Sequence, residues 1–102
     1  DFCLIPLGTP TASVSQEIAH VQRLLARSGL KYEMHSAGTT VEGAWSDVMT
    51  LIGRAHGMLH QRGIVRIQSD IRVGSRTDKV QGMQDKVDAV RRLLAADGEG
   101  KA

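Results

Sequence analysis

Apolar residues alternate along some stretches of this chain and recur at helical spacing along others. Phe2 to Leu7 is apolar on both alternating faces, the pattern of a central strand covered on both sides, with Pro6 near its end where a missing backbone donor does least harm. After the Gly8-Thr9-Pro10-Thr11 loop, Ser13 with Gln16 three residues on reads as a capping box. Val14, Ile18, Val21 and Leu25 then follow as one helical stripe, and Gly29 stops the helix. Tyr32, Met34 and Ser36 alternate with Glu33 and His35 along a second strand, and Thr39 to Gly43 makes a third. Val48, Leu51, Ile52, Ala55 and Leu59 form the stripe of a second helix that begins between Ala44 and Ser46 and ends at Gly63. Ile64 to Val73 is the cleanest strand: Val65, Ile67, Ser69, Ile71 and Val73 point one way, and Arg66, Gln68, Asp70 and Arg72 the other. Asp78 is placed to cap a third helix bearing Val80, Met83, Val87, Val90 and Leu94, with Gly82 costing its first turns about 1 kcal/mol relative to Ala.

The order is therefore βαββαβ with an added C-terminal helix, which predicts an α+β, ferredoxin-like antiparallel sheet. Helices one and two would cover one sheet face, yet the first strand is apolar on both. That mismatch predicts a second subunit packing sheet to sheet, with the stripe of the third helix suited to another contact between subunits. Residues 1–96 are expected to form one domain and residues 97–102 a polar, fraying tail.

Composition narrows the functional classes. The single Phe, Tyr and Trp leave a core that is mostly aliphatic. The net charge of +2 comes from basic residues spread along the chain, which speaks against nucleic acid as a partner. One cysteine, Cys3, excludes an internal disulfide. The absence of a signal peptide or a long apolar run predicts a soluble, cytoplasmic protein with no membrane partner.

The stretch from His35 to Trp45 organises the rest. Ala37-Gly38 is a tight-turn candidate in which Gly supplies a positive φ, and Gly43 leaves room for close backbone approach. Between the glycines lie two hydroxyls and a carboxylate, followed by the only Trp. This reads either as a polar hairpin with Trp45 plugging the core or as a site for a small flat ligand.

Other chemistry is less well supplied. His56 and His60 stand one helical turn apart, a spacing that can hold a metal, but no third ligand and no intervening glutamate accompany them, and no metal site is expected. Alternation sends His35 and Ser36 to opposite faces, which disfavours a nucleophile–base pair. Gly38-Thr39-Thr40 lacks the pattern of a phosphate loop. Arg72, Arg76 and Lys79 read either as an anion-binding patch or as ordinary solubility charge.

Leu4-Ile5-Pro6-Leu7-Gly8-Thr9 with Ser13-Val14-Ser15, then Gly38-Thr39-Thr40-Val41-Glu42-Gly43-Ala44-Trp45, resembles the small thiamine-binding protein family, the single-domain relatives of YkoF. Asp47-Val48-Met49, Arg66 through Arg72, Asp78-Lys79 and Asp85-Lys86 extend the likeness to nearly the whole chain, most closely to fungal members once grouped as an uncharacterised family. The resemblance implies a ferredoxin-like fold, sheet-to-sheet dimers and homotetramers built as dimers of dimers. It also implies non-catalytic binding of thiamine or its hydroxymethylpyrimidine half near the dimer interface, with no cofactor. Glu42, Asp70 and the hydroxyls of Thr39 or Thr40 match the donors and acceptors of an aminopyrimidine edge, and Trp45 can pack on its ring.

The resulting reading is a homotetramer that binds a small heteroaromatic cation through Ser36, Thr39, Thr40, Glu42, Trp45 and Asp70. Two alternatives stand beside it: a small enzyme using His35, Glu42 or Asp70 as acid or base, and an oligomeric regulatory module without a ligand.

Overall fold

The computed structural model describes residues 1–97. Strand β1 (Phe2–Leu7) leads through helix α1 (Ser15–Ser28) to β2 (Lys31–His35) and β3 (Gly38–Glu42). Helix α2 (Trp45–Gln61), strand β4 (Arg66–Ile71) and helix α3 (Met83–Ala96) complete the order. The strands form one antiparallel sheet in the order β2-β3-β1-β4. This is the expected α+β, ferredoxin-like arrangement.

Register assigns each side chain to a face. Phe2 pairs with Thr39 and Ile71, and Leu4 with Ser69, on the face that α1 and α2 cover. There Phe2, Leu4, Val21, Leu25, Leu51, Ile52, Ala55 and Leu59 make the core. Leu25 and Leu59 are its most deeply buried large side chains, each contributing about 1.5–3 kcal/mol by leaving water. The other face carries Cys3 opposite Asp70, Ile5 opposite Gln68 and Leu7 opposite Arg66. An apolar row on β1 thus runs beside a charged row on β4, as the alternation predicts. Helix α3 buries none of its residues, and Val90, Leu93 and Leu94 are exposed.

Local signals were displaced in several places. The N-cap of α1 is Val14, which has no side-chain cap, because the helix begins one residue later than the Ser13–Gln16 pair implies. Ser13 instead accepts the Ser15 N–H through its hydroxyl at 3.4 Å. Gly29 and Gly63 do end helices with left-handed φ of 78° and 98°. Gly38 does not have a positive φ. Its role is space: a Cβ there would lie 2.6 Å from the Phe2 carbonyl oxygen, so β3 could not approach β1. A Cβ at Gly43 would meet the Leu30 side chain at 3.1 Å rather than backbone. Asp78 does not cap α3, because the helix begins only at Met83, and its carboxylate pairs with Arg76 instead. The cap position is Gly82, whose N–H donates to Asp85 Oδ2 at 2.9 Å, so its flexibility costs the helix interior nothing. Val80 lies outside the helix and is fully exposed.

Candidate functional site

Chain direction changes sharply where β3 ends. Gly43 and an extended Ala44 carry the backbone from Glu42 into α2, so Trp45 becomes that helix's first residue. The indole is 67% exposed there, which excludes the core-plug role. It stands at a cleft of about 260 Å³ whose apolar wall includes Phe2, Val41, Met49 and Ile52. Glu42, Arg72 and Ser75 add polar groups to its lining. An exposed aromatic ring, an apolar wall and a few polar groups are the parts from which a seat for a flat heterocycle is built.

Glu42 is already engaged. Its Oε2 accepts the Met83 N–H at 3.0 Å, and Lys31 Nζ stands 3.7 Å from Oε1. The Lys31 side chain is 73% exposed, so this ion pair is worth about 0–1 kcal/mol. The carboxylate's other contact sits at the start of α3, where negative charge is stabilised by the helix dipole.

A second cleft of about 460 Å³ lies at the opposite end of β3, between α1 and the β2–β3 hairpin. Ser36 and Thr39 line it. Thr39 is 4% exposed and receives a hydrogen bond from Gln22 Nε2 at 2.9 Å. Sequence reasoning overlooked Gln22. Its signal was a polar residue four positions after Ile18 and three before Leu25, inside the apolar stripe of α1.

The expected binding residues therefore do not share one cavity. Glu42 and Trp45 share the first cleft, and Ser36 and Thr39 the second. Thr40 lines a third, with Glu42, beside α3. Asp70 is exposed on the uncovered sheet face and lines none of the three. His35 meets Asp1 Oδ1 at 2.9 Å on that same face.

The remaining histidines have local partners. His56 Nε2 is 3.0 Å from the Ser69 hydroxyl, and His60 Nδ1 is 2.7 Å from the Ile64 carbonyl oxygen. His20 lies between the guanidinium groups of Arg23 and Arg62. Partial desolvation, then Arg62 and Arg23, hold its pKa below the ordinary imidazole value against an opposing pull from Glu17. Within 76–78, the Arg76 guanidinium keeps the Asp78 carboxyl below the usual carboxylate range.

A family model described as "Thiamine-binding protein" matches residues 1–91, a span that includes every wall of the Trp45 cleft. The chain belongs to the thiamine-binding protein family. Among relatives of this thiamine-binding family member, the UPF0045 protein ECM15 of Eremothecium gossypii is 48% identical over 95 residues, covering 93% of this chain and 90% of that one. The UPF0045 protein sll0230 of Synechocystis is 43% identical over 94 residues, covering 92% and 77%. The hypothetical protein MJ1052 from Methanocaldococcus jannaschii superposes with a TM-score of 0.78 at 27% identity, covering 87% of this chain and 90% of that chain. A Bacillus cereus domain of unknown function, at a TM-score of 0.72 and 22% identity over 84% of this chain and 82% of that one, shares the fold. The family name is one of binding, and no helix among the described residues is long and apolar enough to cross a membrane.

Proposed function

We propose that this protein binds thiamine or its hydroxymethylpyrimidine half without transforming it, with the ring seated in the Trp45 cleft. The observation that carries this is the family match over residues 1–91. The cleft's chemistry supports the location. Trp45 offers a face for stacking, Glu42 offers acceptors and a favourable charge for a cationic ligand, and the apolar wall takes the ring away from water. Thr40 lies one residue before Val41 on β3, with its side chain on the other sheet face, so its part in binding runs through the uncovered face.

The uncovered face supports a homodimer formed sheet to sheet. Cys3, Ile5 and Leu7 would leave water there, while Asp70 and Arg66 would need partners across the interface. The exposed stripe of α3 supports pairing of two such dimers into a homotetramer. In that assembly Asp70 approaches a ligand from the interface side rather than from within one chain.

Calorimetric titration with thiamine and with hydroxymethylpyrimidine tests the function directly. Trp45 is the only tryptophan, so ligand stacking should also change its fluorescence in step with the heat. Saturable micromolar binding of either compound with that change supports both function and location. Heat without a fluorescence change moves the ligand elsewhere, and no heat with either removes the function.

A further inference from the structure

The Trp45 cleft and the larger cleft beside α3 share a wall: Glu42, Arg72, Val73 and Ser75 line both. The larger one, about 1050 Å³, is bordered by Arg72, Arg76, Lys79 and Lys86, against the carboxylates of Asp1 and Glu42. Local pairing sorts these charges. Glu42 is held by the Met83 N–H and Lys31, and Asp1 by His35. Arg76 is bound by Asp78 and donates to Gln81 Oε1 at 2.7 Å. Among the described residues, Arg72, Lys79 and Lys86 form no ion pair. Three uncommitted cations therefore border a roomy cleft that adjoins the proposed ring seat.

We propose that the ligand carries a phosphate, so that a phosphate ester of the heteroaromatic alcohol binds in preference to the free alcohol. This rests on the reading that the ring lies against Trp45. The ring would fill the smaller cleft, and the ester would extend past the shared wall to Arg72, Lys79 and Lys86. Lysines act as flexible point charges toward phosphate, and Arg72 adds a fork of donors at the junction. The size difference between the clefts fits this division, since a hydrated phosphate and its counter-charges need more room than a flat ring.

The experiment compares thiamine, thiamine monophosphate and inorganic phosphate on the full chain, by calorimetry and Trp45 fluorescence. The monophosphate should bind about tenfold tighter than thiamine at low ionic strength, and that ratio should shrink at about 0.5 M salt as the exposed charges are screened. In the Lys79→Ala/Lys86→Ala double variant, whose substitutions are on exposed side chains, the ratio should fall toward one. Circular dichroism of that variant checks that the fold is intact. Thiamine binding as tightly as its phosphate, or a ratio unchanged in the double variant, overturns the phosphate subsite and leaves the thiamine reading standing. If neither thiamine nor its phosphate binds, the function itself fails and this inference with it. Inorganic phosphate that binds alone and does not weaken thiamine monophosphate binding in competition places the cations outside the ligand's path and also overturns it.

Discussion

The carboxylate of Glu42 accepts the backbone N–H of Met83 at 3.0 Å, joining the last residue of β3 to the first of α3 across 41 positions of chain. Removing it detaches a helix that has no buried residue of its own. Glu42→Ala should speed hydrogen exchange at the first-turn amides of α3 and cost about 1 kcal/mol. Glu42→Gln keeps an acceptor oxygen and loses the charge, so its effect should fall between. Unchanged exchange in Glu42→Ala would show that α3 is held by something else.

Two glycine substitutions should move stability in opposite directions. Gly38→Ala forces a Cβ toward the Phe2 carbonyl at 2.6 Å and should cost about 1–3 kcal/mol. Gly53 sits exposed inside α2, and a Cβ there meets nothing within 4 Å. Gly53→Ala should therefore stabilise by about 0.5–1 kcal/mol. Urea midpoints of the two variants on either side of the parent would bear this out, and a shift in the same direction would refute one assignment.

Leu59 is wholly buried where α2 crosses the sheet. Leu59→Ala should lower unfolding free energy by about 2–5 kcal/mol, through lost burial and the cavity left behind. A loss under about 1 kcal/mol would mean that the core collapses around the gap.

His20 supplies a pH test. Desolvation and then Arg62 and Arg23 depress its pKa, so the folded chain resists taking up this proton. Above about pH 6.5 the residue is neutral in both folded and unfolded chains, and its contribution is intact. As pH falls through that value the unfolded chain protonates first, and stability declines. The His20 ring resonances should titrate below the free imidazole value, and Arg62→Ala should raise that midpoint. A midpoint that ignores Arg62 would leave desolvation and Arg23 as the causes.

Long-range architecture was legible where pattern and burial agree. Phe2 to Leu7 reads as a central strand because both its faces are apolar, and it does lie between β3 and β4. Helix ends were less so. The Ser13–Gln16 pair and Asp78 both have the chemistry of caps, but each lies before the point where the following helix starts. Gly38 was recognised as necessary for the wrong reason, since the demand comes from a carbonyl on another strand, which local sequence cannot display. All of the proposed site residues except Asp70 lie in one continuous stretch, and strand alternation disperses such a stretch. Thr39 and Thr40 are neighbours in sequence, yet one joins Gln22 under α1 and the other faces away. Trp45 escaped this because it begins a helix at the sheet's end.

The pairing of Phe2 with Ile71 has a consequence for biosynthesis. The central strand β1 leaves the ribosome well before β4, the neighbour that completes one of its flanks and the last strand among the described residues. At about 5–20 residues per second, β1 waits for seconds with its apolar side chains unsheltered. The decisive step of folding therefore waits for β4, and the nascent chain is most exposed to misassociation or chaperone capture in the interval before that strand emerges.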